Sequence, residues 1–196
     1  LRSDVEVIPN GIRLEEYLPY RSREKIYDVA YVGRLVPYKG VIEFIEALKQ
    51  VKTPLRVAVI GDGPLLPHVA KFKDTTHHVV ELYRSVDEEE KRRILGRTKV
   101  YVSTSKGEGF SISTLEAIAL GAYPVVYSAG GYNAATELVT TLSYGRVIDD
   151  LRELPASLEE ILESTVESAD PAALRIYNIA HIVKEYAKTL QECAAL

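Results

Sequence analysis

The sequence predicts a Rossmann-like α/β domain with a doubly wound parallel sheet, followed by a helical carboxyl-terminal tail. Three observations lead to this prediction. Short apolar runs alternate with single helical patterns between residues 5 and 149, and strands joined by single helices imply right-handed crossovers and parallel pairing. The run LRVAVIG is apolar almost throughout, which is typical of a strand buried on both faces. Beyond Pro155 the pattern is only helical.

The elements follow from apolar periodicity and from turn and capping residues. The predicted strands are Val5–Pro9, Tyr27–Gly33, Leu55–Gly61, His78–Tyr83, Lys99–Ser105, Tyr123–Ser128 and Arg146–Asp149. The predicted helices are Val41–Val51, Leu65–Phe72, EEEKRRIL with Asp87 as its cap, a segment that ends before Gly121, SLEEILESTV, and Pro171–Ala194 with the proline in its first turn. We therefore expect residues 1–154 to form the α/β domain and residues 155–196 to pack on it.

Composition excludes several classes of protein. The net charge of −4 and dispersed basic residues argue against a nucleic-acid surface. No apolar run reaches the roughly 18 residues that span a bilayer. Cys193 is the single cysteine, which excludes an internal disulfide and favours a reducing, cytoplasmic location. Because the sequence contains no methionine, we expect a fragment of a longer protein; its frequent charges are typical of thermophiles.

The predicted topology assigns the functional region to one edge of the sheet. Ligands of doubly wound sheets bind outside the carboxyl ends of the strands. The loops that follow Tyr31, Ile60, Tyr83 and Ser103 should therefore share one rim, although they are distant in sequence.

The segment GRLVPYKG follows a predicted strand directly. Gly33 permits a tight turn, while Arg34 and Lys39 place two cations beside the start of the next helix. Backbone N–H groups and these cations would suit an anionic diphosphate. The alternative is that both cations are solvated surface charges. GDGP, from Gly61 to Pro64, also follows a strand and is by itself compatible with a simple turn.

The segment SKGEGFSISTLEAIALGAYPVV carries two glutamates around a helix start. Glu108 lies between two glycines, where an ionised carboxylate could accept hydrogen bonds from the vicinal hydroxyls of a sugar. Glu116 has an alternative explanation, because Ser113 and Glu116 have the S-x-x-E spacing of a capping box. No Asp-x-Asp pair and no histidine spacing for zinc occurs, so we expect neither a metal nor a cofactor.

Four segments taken together resemble retaining glycosyltransferases of the GT-B fold, the group that includes glycogen and sucrose synthases and many mannosyltransferases. They are IPNGI, YVGRLVPYKGV, VIGDGP and the glutamate segment, in that order. The resemblance covers most of the chain from Val5 to about Ile148. It implies the carboxyl-terminal half of a GT-B fold, which binds the nucleotide sugar, with an amino-terminal acceptor domain absent.

The resemblance also implies roles for individual residues. Arg34 and Lys39 match the diphosphate-binding pair, and with Glu108 they are the predicted catalytic residues. Glu108 would approach the hydroxyls of the donor sugar and Glu116 those of the ribose. The remaining predicted substrate-binding residues are Gly33, Gly61, Asp62, Tyr83, Arg84, Gly109, Phe110 and Ser111.

The chain departs from the family pattern at three places. Ser111 replaces a usual glycine, and Tyr83-Arg84 occupies a place where the strand usually ends in glycine. The segment from Gly130 to Val139 is longer than usual, so the match of Glu137 to the family's glutamate is left open.

The function implied by the resemblance is transfer of a hexose from a nucleoside-diphosphate sugar to a glycan, lipid or small-molecule acceptor held by the absent domain. Any peripheral membrane contact would also come from that domain. Two alternatives are a non-catalytic sugar-nucleotide-binding module and a sugar-nucleotide epimerase. A dinucleotide-binding domain is disfavoured because no G-x-G-x-x-G follows the first strands.

Overall fold

A computed structural model describes residues 7–131 and 133–194 of the chain. Within them, six strands form one parallel sheet in the order β3-β2-β1-β4-β5-β6. The strands are β1 Tyr27–Val32, β2 Arg56–Ile60, β3 Val79–Tyr83, β4 Thr98–Ser103, β5 Tyr123–Tyr127 and β6 Arg146–Ile148. The direction of winding reverses between β1 and β4, which makes the gap between their carboxyl ends the topological switch point. The predicted Rossmann-like fold class is confirmed.

Helices cover both faces of the sheet. They are α1 Val41–Leu48, α2 Leu66–Thr75, α3 Glu88–Gly96, α4 Ile112–Ala119, α5 Ala134–Leu142, α6 Leu154–Glu163 and α7 Ile179–Ala194. Short 3-10 turns lie at Leu14–Glu16, Leu18–Tyr20, Pro37–Lys39, Leu151–Glu153 and Ala173–Tyr177. No helix in the described part of the chain is long and apolar enough to cross a membrane.

The alternation of side chains along the strands builds two cores. On one face, Val29 and Tyr31 of β1 pack with residues of α1, α2 and α6. On the other face, Ala30 packs with residues of α3 and α4. Successive strand residues point to opposite faces, so a central strand covered on both faces must be apolar on both, as β2 is after the exposed Arg56 at its start.

Helix α3 begins where the sequence predicts. The side chain of Asp87 accepts a hydrogen bond of 2.7 Å from the backbone N–H of Glu90, and three glutamates occupy the first turn. The cap and the acidic first turn both stabilise the positive end of the helix.

The predicted single helix Pro171–Ala194 is wrong. The chain forms the 3-10 turn Ala173–Tyr177, becomes extended at Asn178 and only then enters α7. The cause is tertiary: Ile12 pairs in parallel with Asn178, donating to the carbonyl of Tyr177 and accepting from the N–H of Ile179, both at 2.9 Å. Pro171 therefore precedes both segments.

Two further elements differ from the prediction. Helix α5 was not predicted, although its cap is local: the Asn133 side chain accepts from the N–H of Ala135 at 3.1 Å. The predicted strand Val5–Pro9 is not formed at residues 7–9, and its first two residues lie outside the described ranges.

The buried His78 ties the end of α1 to Leu55, the residue before β2. Its Nδ1 accepts from the N–H of Leu55 at 3.1 Å, and its Nε2 lies 2.8 Å from the carbonyl of Leu48. The ring therefore carries its proton on Nε2, and a second proton would remove the acceptor that Leu55 uses. Burial lowers the pKa of this imidazole, assisted by the neighbouring His77.

We expect this imidazole to make stability depend on pH. A histidine whose pKa is lower when folded than the ordinary value of about 6.5 binds its proton more readily when unfolded. Its contribution is complete above that value and is lost as the pH falls. The free energy of unfolding of the parent, measured by urea denaturation from pH 7 to pH 5, should decrease more than that of His78→Gln.

The matched control is His68→Gln, because His68 is exposed on α2. This variant should keep the pH slope of the parent. Equal slopes for the parent and His78→Gln would contradict the assignment.

Candidate functional site

Backbone contacts bring the loops after β1, β2 and β3 together at the carboxyl edge of the sheet. The N–H of Gly33 donates to the carbonyl of Ile60 at 3.0 Å, and the N–H of Gly61 donates to the carbonyl of Tyr83 at 2.9 Å. A Cβ on Gly61 would lie 2.0 Å from the Gly33 carbonyl oxygen. Only glycine permits this approach, and the predicted common rim therefore exists.

The loops after β1 and β4 meet across the switch point. Lys39 Nζ lies 2.7 Å from a carboxylate oxygen of Glu108, and both side chains are largely buried. The loops are also joined by the hydroxyl of Thr104, which donates to the carbonyl of Gly40 at 2.7 Å. Gly40 has a φ of 72°, and a Cβ there would lie 2.1 Å from the Thr104 carbonyl oxygen. Two of the three predicted catalytic side chains, Lys39 and Glu108, are thus held in direct contact.

Arg34 lies close to Lys39, and both cations contact the ring of Tyr38. Its guanidinium and the Lys39 ammonium are each 5.4 Å from the centre of the Tyr38 ring, and Arg34 also donates to the Tyr38 hydroxyl. An aromatic face attracts cations. Tyr38 therefore gathers two positive charges that would otherwise separate.

A shallow, open cleft of about 340 Å³ lies along the rim, and we call it the rim cleft. It is lined by residues 32–34, 60–62, 85, 86 and 91. The segment that carries Glu108 is also open, since a Cβ on Gly107 or Gly109 would meet nothing within 4 Å. Space for a ligand therefore extends along both sides of the switch point.

A second hollow of about 200 Å³ lies beside that segment. It is lined by residues 7–10, 109, 110, 134, 137, 138 and 177. Phe110 packs edge-on against Tyr177, with ring centres 6.1 Å apart. Glu137 borders this hollow rather than the rim cleft.

Asp62 and Arg84 form an ion pair of 3.0 Å at the rim. The N–H of Gly63 and the Arg84 guanidinium hold the pKa of the Asp62 carboxyl below its ordinary value. Tyr83 is different: its hydroxyl lies 2.6 Å from Glu81 and 2.5 Å from the Tyr27 hydroxyl. The side chain of Tyr83 is therefore engaged along the sheet, and only its backbone contributes to the rim.

The capping-box alternative for Glu116 is wrong. Helix α4 begins at Ile112 with Ser111 as its N-cap, so Ser113 is already inside the helix and its hydroxyl accepts from Tyr101 at 3.0 Å. Glu116 is 4% exposed. Its carboxylate accepts from the Tyr17 hydroxyl at 2.8 Å and from Lys91 Nζ at 3.1 Å.

Ser111, which stands where the family usually has a glycine, has a left-handed backbone conformation. Its φ is 62° and its ψ is 57°, the left-handed region that glycine adopts most readily. Ser111 therefore adopts a conformation that glycine would adopt at lower cost. The serine hydroxyl is turned inward, 2.7 Å from that of Thr114.

Sequence reasoning missed Tyr17 and Lys91. Lys91 also lies 2.7 Å from Glu88, and it is 15% exposed. Burial acts to lower the pKa of its ammonium, but the carboxylates of Glu116 and Glu88 outweigh this effect and the pKa is raised. The charged run EEEKRRIL resembles a solvated helix face, and nothing in the sequence near Tyr17 indicates its partner.

The described residues contain no group of three histidine, cysteine or acidic side chains arranged to hold a metal ion. The charges gathered at the switch point are instead those of Arg34, Lys39 and Glu108.

Comparison with known proteins adds a family match and a structural match. The family model described as "Glycosyl transferases group 1" matches residues 27–164. An uncharacterized glycosyltransferase of Methanocaldococcus jannaschii is 26% identical over 96% of this chain and 53% of its own length. A GDP-mannose:cellobiosyl-diphosphopolyprenol alpha-mannosyltransferase of Xanthomonas campestris is 24% identical over 93% of this chain and 49% of its own. The chain therefore spans about half the length of these relatives.

Solved structures share the fold at lower identity. A glycosyltransferase of avilamycin A biosynthesis has a TM-score of 0.79 and 18% identity, covering 98% of this chain and 59% of its own. Anabaena Alr3699/HepE, solved with UDP and glucose, has a TM-score of 0.77 and 21% identity, covering 95% and 57%. Both matches support the GT-B architecture expected from the sequence.

The contacts of Glu116 change what its substitution should do. As a capping residue it could be replaced by glutamine at little cost. In its observed position, Glu116→Gln leaves the buried Lys91 without its main counter-charge, which should lower the free energy of unfolding by about 1–3 kcal/mol. Urea denaturation at pH 7 measures this loss.

Glu88→Gln is the matched control, because it removes the other carboxylate near Lys91 from a side chain that is 65% exposed. Its cost should stay below about 1 kcal/mol. If Glu116→Gln is as stable as the parent, the carboxylate does not have the buried role assigned to it.

Proposed function

This chain belongs to the glycosyl transferases group 1 family, and from that premise we propose that it is the donor-binding half of a retaining glycosyltransferase. It would bind a nucleoside-diphosphate sugar, from which the complete enzyme transfers a hexose to an acceptor. The observation that carries this proposal is the contact between Lys39 and Glu108 across the switch point, beside a glycine-lined cleft. Doubly wound folds bind their ligands at this place.

The two cations would act on the leaving group. Cleavage of the bond between the sugar and the diphosphate places negative charge on the diphosphate oxygens. Arg34 and Lys39, gathered on the Tyr38 ring, would stabilise that charge as it develops. Such preorganised charge is the main contribution that a site of this kind makes to catalysis. The proposed donor binding needs no metal ion.

The two glutamates would bind the two ends of the donor. Glu108, beside the open backbone of Gly107 and Gly109, would accept hydrogen bonds from the sugar hydroxyls. Phe110 and Ser111 follow in the same segment and would lie beside the sugar. Glu116, which contacts Lys91 at the edge of the rim cleft, would accept from the ribose hydroxyls. An ionised carboxylate is an acceptor-only group suited to a pair of hydroxyls.

The rim near Asp62 and Arg84 would face the nucleotide. Gly33 and Gly61 allow the backbone to approach it closely, and the ion pair of Asp62 with Arg84 borders the same side of the cleft. The identity of the base follows from contacts here, so UDP, GDP and ADP sugars are the ligands to compare by calorimetric titration.

The acceptor would be held outside the donor-binding half of the enzyme. The chain spans about half the length of its relatives, and the mannosyltransferase relative uses, by its name, GDP-mannose and a diphosphopolyprenol-linked acceptor. We infer that the isolated chain binds donor and turns over little, and that a glycan, lipid or small molecule serves as acceptor.

Removal of either cation should weaken diphosphate binding selectively. Arg34→Met and Lys39→Met should each cost roughly 1.5–3 kcal/mol of affinity for the nucleoside diphosphate, the range for hydrogen bonds to charged groups. Affinity for the nucleoside alone should hardly change. Calorimetric titration of both ligands in the presence of a chelator measures the difference.

Lys49→Met provides the control, because Lys49 is an exposed cation at the end of α1 that pairs only locally with Glu46. It should bind both ligands as the parent does. Equal losses for nucleoside and diphosphate in the Arg34 and Lys39 variants would exclude the diphosphate clamp. An absolute need for magnesium would show that the diphosphate is held by a metal.

Glu108→Gln should separate the sugar from the diphosphate. The carboxylate neutralises Lys39 before the donor binds, so its removal frees Lys39 for the diphosphate. The bare nucleoside diphosphate should bind at least as tightly as to the parent. The extra affinity contributed by the sugar should fall by about 1–2 kcal/mol, because the charged acceptor is replaced by a neutral amide.

Titration of a nucleoside diphosphate and of its hexose conjugate gives both quantities. Glu43→Gln is the control, since Glu43 pairs with Lys106 on the same side of the fold but outside the contact of Lys39 with Glu108. A variant that loses affinity for both ligands equally would rule out a sugar-specific role for Glu108.

A further inference from the structure

Lys91 of α3 connects the rim cleft to the buried Glu116. It lines the cleft together with Gly33, Gly61 and Val86. Its ammonium lies within 3.1 Å of one carboxylate oxygen of Glu116 and 3.0 Å of the other. A third contact, 2.7 Å to Glu88, holds the ammonium from the solvent side. The cation is therefore fixed between the cleft and the carboxylate.

Tyr17 holds Glu116 from another direction. Its hydroxyl donates to Glu116 at 2.8 Å, and its ring lies under the Arg92 guanidinium, 4.6 Å from ring centre to cation. Arg92 in turn pairs with Glu16 at 2.7 Å. The hydroxyl thus has little freedom to turn away, because the ring is stacked and the segment that carries it is anchored to α3.

These two donors restrict what Glu116 can do. Both approach Oε1, and Lys91 also reaches Oε2. An ionised carboxylate offers about four acceptor positions. Both hydrogen bonds fall on Oε1, so Oε2, which Lys91 approaches as an ion pair, keeps capacity for an incoming hydroxyl. The direction of those positions is set by Tyr17 and Lys91 rather than by α4. Lys91 also offsets the repulsion that Glu116 would exert on an anionic ligand in the cleft.

We propose that Lys91 and Tyr17 are positioning residues that hold Glu116 for recognition of the ribose, and that Lys91 sets the preference of the cleft for ribonucleotides over deoxyribonucleotides. The proposal rests on the proposed function, because it takes the ligand of the rim cleft to be a nucleoside diphosphate. It adds to that function two side chains from outside the glutamate segment.

The test compares one ligand pair in several variants of the whole chain. The first ligand is whichever of UDP, GDP and ADP the parent binds most tightly. The second ligand is the 2′-deoxy form of the same nucleoside diphosphate. The parent should prefer the ribonucleotide by about tenfold, the ratio that corresponds to one good hydrogen bond to a charged group. Lys91→Met should reduce this preference to about twofold or less, and Lys91→Arg should restore much of it.

Tyr17→Phe should reduce the preference in the same direction while it keeps the ring on Arg92. Arg93→Met is the control: it removes a cation from the same helix, but Arg93 is 60% exposed and pairs with Glu89. That variant should retain the parent's preference. If Lys91 had a purely structural role, Lys91→Met would weaken the binding of both ligands equally and leave the ratio of the two affinities unchanged.

A double variant tests whether Lys91 acts through Glu116. Glu116→Gln should abolish the preference, and Glu116→Gln with Lys91→Met should then show no further loss. If the double variant instead lost the sum of the two single losses in ribonucleotide preference, the positioning role would be overturned. If Lys91→Met does not fold, as judged by thermal denaturation, Tyr17→Phe and Lys91→Arg carry the test, and a parent-like preference in Tyr17→Phe then overturns the proposal.

The outcomes separate this inference from the proposed function. If the parent binds none of the three nucleoside diphosphates, the proposed function fails and this inference fails with it. If the parent binds with a ribose preference that Lys91→Met retains, only this inference is overturned.

Discussion

The parallel pairing of β1 with β4 is the constraint on which the rest of the structure depends. It brings residues far apart in the chain to one switch point, with Val29 opposite Val100 and Tyr31 opposite Val102. The loops beyond these strands can meet only because Gly40 accepts a left-handed backbone and the close approach of Thr104. The contact of Lys39 with Glu108 is a consequence of that approach. A larger residue at position 40 would separate the two loops and with them the two charges.

The charged side chains near Lys39 and those around Glu116 differ in burial and in their partners. Near the Lys39–Glu108 contact, the exposed Arg34 and the largely buried Lys39 both lie against the exposed ring of Tyr38. Around Glu116 the charges are buried and satisfied by Tyr17 and Lys91. Buried charges are tolerated only when they are paired and hydrogen-bonded. The group around Arg34 and Lys39 is partly exposed and therefore better suited to exchange partners, whereas the buried group around Glu116 is suited to hold a fixed direction.

Local patterns in the sequence predicted most of the elements correctly. The apolar run of β2 and the Asp87 cap of α3 are both local signals, since burial on two faces and an N-cap each leave a mark within a few residues. The predictions failed where a distant partner decides. The break at Asn178 exists because Ile12 pairs there. The S-x-x-E spacing of Ser113 and Glu116 is not used, because the N-cap of α4 is Ser111, two residues earlier, and Glu116 has other partners.

The sequence by itself determined the fold class, the family, and the position of Arg34, Lys39, Glu108 and Glu116 on loops and helix starts at one rim. It could do so because apolar periodicity, glycine and short motifs are encoded within single segments. Only the tertiary structure decided what the charges of the candidate site contact. Tyr17 and Glu116 are 99 residues apart, and no local pattern records such a pair. Contacts of that kind arise from packing, which depends on the whole chain at once.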